Sequence, residues 1–417
     1  MLILRLGWRN LWRNPRRSLI SISAVATAFV FLILLLGMAK GLQRQMLQNG
    51  TGLLLGQVQL HHPDYLPDRS LYDTLGDQQG LPPGWLGQLE SRSGVEAAAG
   101  RLYGFALLST GEHSAGAQLI GIQPESESRV STVLDGLRGK ALESDPGGQI
   151  LLGETLAQEI DARQGSQIAV VTQAADGSMG NVLYRVSGLL RTGLSALDRT
   201  LAVVHVRDLQ DLLVLDESRF HEIALKIQDP VQADQVTAQI NADPALPPGI
   251  QAKSWGELLP QLRDYLSLFE NFYGFLIGFV AVFAALGVLN TMMMAVFERT
   301  REIGTVGALG MYPSQILTSF LVESLFLGCL GLVLGLAAGA LLMQPLTTQG
   351  LDLSRWTGEL SIINTRLDPV IRFEWASKQV IWSAVGLLIA TLLAGGFPAR
   401  KAARMNPVRA LHFRGEG

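Results

Sequence analysis

Four long apolar stretches constrain this chain more than any other feature. They cover about 18–39, 272–297, 314–343 and 379–399, and a single charged residue, Glu323, interrupts them. A helix needs about 20 apolar residues to cross a hydrocarbon layer of ~30 Å. One such stretch can be a buried core helix, but four of this length point to a membrane protein. The 417 residues are 48% hydrophobic, and the gathering of that apolar content into blocks sets the class. The first stretch exceeds the 7–15 residue core of a cleaved signal, and residues 1–17 precede it, so it reads as a retained membrane helix. Cys329 is the sole cysteine, which leaves no intrachain disulfide and no cysteine zinc site.

Charge sets the expected orientation. Arg5, Arg9, Arg13, Arg16 and Arg17 precede the first stretch without an acidic residue among them, and Arg400, Lys401, Arg404, Arg409 and Arg414 follow the fourth. Such clusters resist translocation, so both termini are expected in the cytoplasm. Residues 42–271 then lie outside, and they hold 28 acidic against 16 basic residues. The expected fold is an α-helical membrane protein of four transmembrane helices, with a large extracytoplasmic α+β domain inserted between helices 1 and 2. Its divisions are a cytoplasmic amphipathic segment (1–17), a first span (18–41), the outer domain (42–271), a second span (272–297), a cytoplasmic helix (298–313), a third span (314–343), an outer loop (344–378), a fourth span (379–399) and a basic tail (400–417).

In the first segment, helical spacing puts Leu4, Trp8 and Leu11 on one side and Arg5, Arg9, Arg13 and Arg16 in a neighbouring stripe. Trp8 and Trp12 suit the membrane interface, and these arginines with Arg17 suit lipid phosphates. A plain positively charged flank is the alternative. Pro15 marks a break before the span.

The outer domain reads as mixed. "GQVQLHH", "RLYGFALLST" with "AGAQLIGI", "SQIAVV", "NVLYRVSGLL" and "LAVVHV" are candidate strands. "ETLAQEI", "RDLQDLLVL" and "VQADQVTAQINA" are candidate helices. Residues 62–93 and 123–149 read as loops or junctions between two subdomains. No catalytic motif emerges and no catalytic residue is assigned. There is no H-E-x-x-H, His61 and His62 beside Asp64 read as surface residues rather than metal ligands, and "GLRGKAL" lacks the spacing of a phosphate-binding loop. The basic and aromatic pattern of a nucleic-acid surface is also missing.

Within the spans, Gly331, Gly335 and Gly339 recur every four residues, with Gly328 on nearly the same face. Gly274 and Gly278 do likewise in the second span. Small residues so spaced let helix backbones approach closely, against another span or a second protomer. Glu323 is an ionisable group within a span, a position that favours function by default. Here a packing role, hydrogen-bonded to Ser319, Ser324 or a neighbouring helix, is preferred over a proton relay.

"FERTREIGTVGALGMYPSQI" (297–316) follows the second span, and charges and glycines there interrupt the apolar sequence. Its core, Arg299-x-x-Glu302-Ile303-Gly304 followed by Ala308 and Gly310, resembles the signature of the FtsX-like ABC permeases. The order of one span, a large outer domain and three spans is shared with MacB-type exporters and lipoprotein-releasing LolC/LolE permeases, the type VII ABC transporters. "ILLGETLAQEIDARQGSQIAVV" and "VSGLLRTGLSALDRTLAVVHV" resemble the lipoprotein-releasing branch. The resemblance covers nearly the whole chain.

It implies an inner-membrane permease subunit without enzymatic activity of its own, paired with two copies of a separate ATPase that carry ATP and Mg. A second permease copy or a sister permease completes the complex. The 298–312 helix would be the coupling helix, with Glu298 and Glu302 facing a basic groove rim of the ATPase and Arg299 and Arg301 in the same ATPase-coupling stretch. Ile303, Val306 and Leu309 would bury apolar area there, Ala308 belongs to the same coupling stretch, and Gly304, Gly307 and Gly310 would permit close approach. ATP-driven closure would move the outer domains mechanically in a lipoprotein-release-like cycle. The rival readings are a MacB-like efflux permease with an outer-membrane partner, a permease that activates a cell-wall hydrolase, and a membrane scaffold or anchored enzyme without an ATPase.

Overall fold

The computed structural model describes residues 2–66, 70–76, 80–353, 360–362, 365–367, 370–406 and 410. Arg409 and Arg414 of the basic tail, and parts of the 344–378 loop, lie outside the described residues. The chain divides into two compact units. One comprises Met1–Arg44, Tyr265–Gly358 and Pro369–Gly417, the other Gln45–Asp264 and Glu359–Asp368.

The chain begins with helices α1 (Leu2–Arg13) and α2 (Pro15–Gly52). Pro15 opens α2, where its missing N–H costs nothing, so the expected break falls at Asn14. The second unit follows, with strands β1 (Val58–His61), β2 (Val95–Ser109), β3 (Ser114–Ile122), β4 (Leu137–Gly139), β5 (Gln149–Gly153), β6 (Gln167–Gln173), β7 (Met179–Leu190), β8 (Leu201–His205), β9 (Glu222–Ile227) and β10 (Gln251–Ser254). Between them run helices α3 (Trp85–Glu90), α4 (Pro124–Val130), α5 (Glu154–Glu159), α6 (Ser195–Asp198), α7 (Val206–Leu213), α8 (Ala233–Asn241) and α9 (Trp255–Leu258). All ten strands join one sheet in the order β10-β1-β9-β2-β3-β8-β5-β7-β4, with β6 bridging β2 and β7.

Strand β2 organises this sheet because it changes partners midway. Its first half, to Arg101, pairs with β9, and from Leu102 onward it pairs with β3. Each half serves its own core. Val58, Leu60, Trp85, Ile223 and Ile240 fill one, and Leu102, Leu119, Leu152, Ile168 and Leu209 fill the other. A further cluster with Tyr65, Tyr103, Ile120, Leu151 and Val203 is buried in the same unit, so one sheet carries more than two cores.

At the change of partner, Arg101 is fully buried between Glu127 at 2.7 Å and Glu222 at 2.8 Å. Tyr103 Oη donates to Glu222 at 2.9 Å. The nearby His221 Nδ1 accepts the Tyr103 amide at 2.9 Å. Burial pushes the His221 imidazole below its ordinary pKa, which suits a neutral ring holding that bond. The supposed loops 62–93 and 123–149 contain α3, α4 and β4, and β9 is a strand that the sequence reading leaves out. "EIALKI" is buried along nearly its whole length, so it lacks the alternation that marks a half-exposed strand.

The first unit continues with α10 (Pro260–Glu298), α11 (Thr300–Ala308), α12 (Pro313–Thr348) and α13 (Ser377–Ala403). Among the described residues, α2, α10, α12 and α13 are long and apolar enough to cross a membrane. The glycines of α12 seat two different neighbours. A Cβ on Gly331 would meet Val25 at 2.7 Å, one on Gly335 would meet the Ala26 carbonyl at 2.9 Å, and one on Gly339 would meet Ile33 at 2.7 Å. Gly328 turns instead to Thr391 of α13, at 2.8 Å, because three residues of helix rotate it off the α2 face. Gly274 and Gly278 of α10 have nothing within 4 Å. A Gly335→Val chain is expected to lose about 1–3 kcal/mol through overpacking, read as a lower melting temperature in detergent. Gly274→Val should leave that temperature unchanged.

Candidate functional site

The turn joining α10 to α12 is built by local sequence signals. Gly310, at φ 95°, takes the left-handed conformation that ends α11. The Met311 amide then donates back to the Val306 carbonyl at 3.2 Å and the Leu309 amide to Thr305 at 3.0 Å, which closes the last turn as glycine commonly allows. Pro313 starts α12, and Gln315 Oε1 accepts the Tyr312 amide at 3.2 Å. A short helix therefore stands between two long ones.

The charges around it form a chain of ion pairs with the N-terminal arginines. Arg13 grips Glu302 with both guanidinium nitrogens, one bond measuring 2.7 Å. Arg17 reaches Glu298 at 2.8 Å and Glu323 at 3.5 Å. Arg299 donates to Glu323 at 3.2 Å and to the Asn10 carbonyl at 3.1 Å. Glu323 is 1% exposed and Arg299 7%, so each buried charge has its counterion. The hydrogen bond from Arg13 to Glu302, helped by the carboxylate's charge, raises the guanidinium above its ordinary pKa.

The structure divides the residues singled out after the second span. Glu298, Arg299 and Glu302 engage this chain's own partners, and Ile303 and Gly304 turn into its core. Arg301, Val306, Ala308, Leu309 and Gly310 are exposed, Leu309 at 82%, with Thr305 and Tyr312 beside them. A hollow of about 260 Å³ opens next to this face, lined by Arg9, Arg13, Glu302, Ile303, Val306 and Phe320 among others. Glu323, expected to bond Ser319, Ser324 or a neighbouring helix, is held by arginines from α2 and the end of α10. Sequence reasoning misses Arg17 as its partner, and the signal available is the lack of any other acid within a span.

The segment 1–17 does more than flank the first span. Leu11 is buried, Gly7 lies against Val322, and the Trp8 ring meets Phe326 edge-on at 5.5 Å. Arg5, Arg9, Trp8, Trp12 and Arg16 remain exposed. Among the described residues no group of three or more His, Cys, Asp or Glu is placed to hold a metal. His61 is buried in β1, a correction to its reading as a surface residue: β1 lies inside the sheet between β10 and β9, and the Tyr65 ring lies 6.2 Å from the imidazole.

In the second unit, a hollow of about 580 Å³ is lined by Leu53, Leu54, Leu55, Leu194 and Leu259, with Arg191 among its polar residues.

Two family models match the chain. Residues 18–243 match the MacB-like periplasmic core domain, and residues 274–407 match the FtsX-like permease C-terminal region. The chain is similar to the lipoprotein-releasing system transmembrane protein LolC of Neisseria meningitidis serogroup B, at 26% identity over 95% of this chain and 94% of that one. It is similar to LolE of Haemophilus influenzae at 21% identity over 97% and 96%. The macrolide export ATP-binding/permease protein MacB of Hyphomonas neptunium matches at 36% identity over 34% of this chain and 20% of that one.

Proposed function

Because this chain belongs to the FtsX-like, MacB-type family of ABC transporter permeases, we propose that it couples ATP hydrolysis by a separate ATPase subunit to rearrangement of its α+β domain. The observation that carries this reading is the outward face of α11, where Arg301, Val306, Ala308 and Leu309 stand exposed on a short helix. An exposed apolar face on a short helix between two spans suits a groove in a protein partner.

In this reading α11 and both termini are cytoplasmic, and the α+β domain lies in the periplasm. Two ATPases supply the ATP and Mg chemistry, and a second permease copy or sister permease completes the assembly. Arg13 of α1 holds α11 through Glu302, and Arg17 of α2 ties the adjoining end of α10 to α12 through Glu298 and Glu323, so a push on α11 moves helices rather than a loose turn.

The cargo is a lipoprotein, as the names of the LolC and LolE relatives suggest. The hollow beside residues 53–55 sets leucines next to Asn49, Asp135 and Arg191, which suits a ligand with both apolar and polar parts. Capture tests this directly. In a Cys329→Ser background, needed because Cys329 is exposed, a cysteine replacing Asn49 or Leu53 carries a photocrosslinker in native membranes. A covalently held lipoprotein is expected. Capture of a small molecule or soluble peptide alone would instead support export of the MacB kind, which the shared 36% identity segment keeps in play.

A further inference from the structure

Five arginines precede the first span, and the structure uses them in two ways. Arg13 and Arg17 are neutralised by Glu302, Glu298 and Glu323. Arg5, Arg9 and Arg16 are exposed, and no ion pair joins them to another described residue. At about 100° per residue, Gly7 and Leu11 share the face of α1 that packs inward. Arg5 and Arg9 fall opposite, with Trp8 and Trp12 on the flank between. Trp8 is 44% and Trp12 58% exposed.

The direction of this amphipathicity along α12 is informative. Arg9 and Arg13 share a hollow with Ile316, Ser319 and Phe320, near the start of α12. Gly7 and Trp8 touch Val322 and Phe326, further along it. A span entered from Pro313 therefore meets the Arg9 and Arg13 end of α1 first and Gly7 and Trp8 further along. Exposed cations beside exposed indoles are what an interfacial helix needs. The same α1 is tied to the coupling region by the Arg13–Glu302 pair and by Arg299 bonded to the Asn10 carbonyl.

We propose that Arg5, Arg9 and Arg16, with Trp8 and Trp12, form a seat for anionic phospholipid headgroups, through which bilayer surface charge acts on the coupling helix. The occupant is the bilayer itself: the charges are complementary, and the seat sits on a span that must lie in lipid. The regulatory half of this inference rests on the coupling reading of α11.

The test uses the permease with its co-purified ATPase. In detergent, added phosphatidylglycerol should raise the melting temperature of the complex, whereas phosphatidylcholine or inorganic phosphate should not. In vesicles, ATP turnover should rise when phosphatidylglycerol replaces part of the phosphatidylcholine. Each arginine removed should weaken the lipid response about fivefold. An Arg5→Gln, Arg9→Gln, Arg16→Gln chain should thus need roughly a hundredfold more phosphatidylglycerol. Equal responses to the two lipids, or an unchanged triple variant, would overturn the seat. A shift produced by inorganic phosphate would overturn it in favour of a free-anion site. Loss of the ATPase from the triple variant in lipid-free detergent would overturn it in favour of an acidic protein surface. A chain that never co-purifies an ATPase would defeat the coupling reading instead, and the phosphatidylglycerol melting shift would still decide the seat.

Discussion

A Glu323→Ala chain is expected to be the least stable single variant of the membrane unit, by about 3–5 kcal/mol. The carboxylate accepts from Arg299 at 3.2 Å and faces Arg17 at 3.5 Å, with only 1% of its side chain exposed. Removing it leaves Arg299 buried without a counterion, and Arg17 keeps only Glu298. Most of the cost is that stranded charge rather than the worth of the pair. A Glu323→Leu, Arg299→Met double variant should therefore recover to within about 1–2 kcal/mol of the parent, since both buried charges leave together. Melting in detergent measures the stability of each. The double variant also loses the tether from Arg299 to the Asn10 carbonyl, so proteolysis near Asn14 should quicken even where the melting temperature returns. A Glu323→Ala chain as stable as the parent would mean that water or lipid headgroups already neutralise Arg299.

How much of this was legible in the sequence depends on the range of the interaction. The long helices follow from their own composition, and the ending of α11 follows from Gly310 and Pro313, which act within a few residues. The strands flanking Gly111 to Ser114 were readable for the same reason: β2 and β3 pair across a short turn with alternating residues at the outer end. The α12 glycines announced a close contact but not their partner. Register along one helix does not say which neighbour lies on each side, and Gly328 went to α13 while the other three went to α2.

The charges were the least legible. Glu298 and Glu302 lie one turn apart on exposed sequence, and local reasoning aims them outward at a partner. Their arginines come from more than 280 residues earlier. Only the packing of α1 and α2 beside this turn brings the two sets together. Opposite charges at the two ends of a long chain hint at such pairing, but a sequence offers many equivalent combinations and no geometry to choose among them.

This rearrangement changes which substitutions interrogate coupling. Lysine at Glu302 would break the bond to Arg13, and lysine at Ile303 would enter the unit's own core. Loss of an ATPase in either case would report damage to the permease itself. The outward residues give a cleaner result. Val306→Asp with Leu309→Asp is expected to weaken ATPase binding by at least about a hundredfold. Burying these two side chains is worth roughly 1.5–3 kcal/mol each, before the desolvation cost of two carboxylates. About 1.4 kcal/mol corresponds to tenfold in affinity, so the apolar gain alone suffices. In the free permease the two positions are 40% and 82% exposed, and melting and membrane insertion should be unaffected. Leu309→Met, similar in volume and polarity, should retain the ATPase. A double aspartate chain that still co-purifies a full complement of ATPase would show that the partner grips another surface, and the outward face of α11 would lose its assigned role.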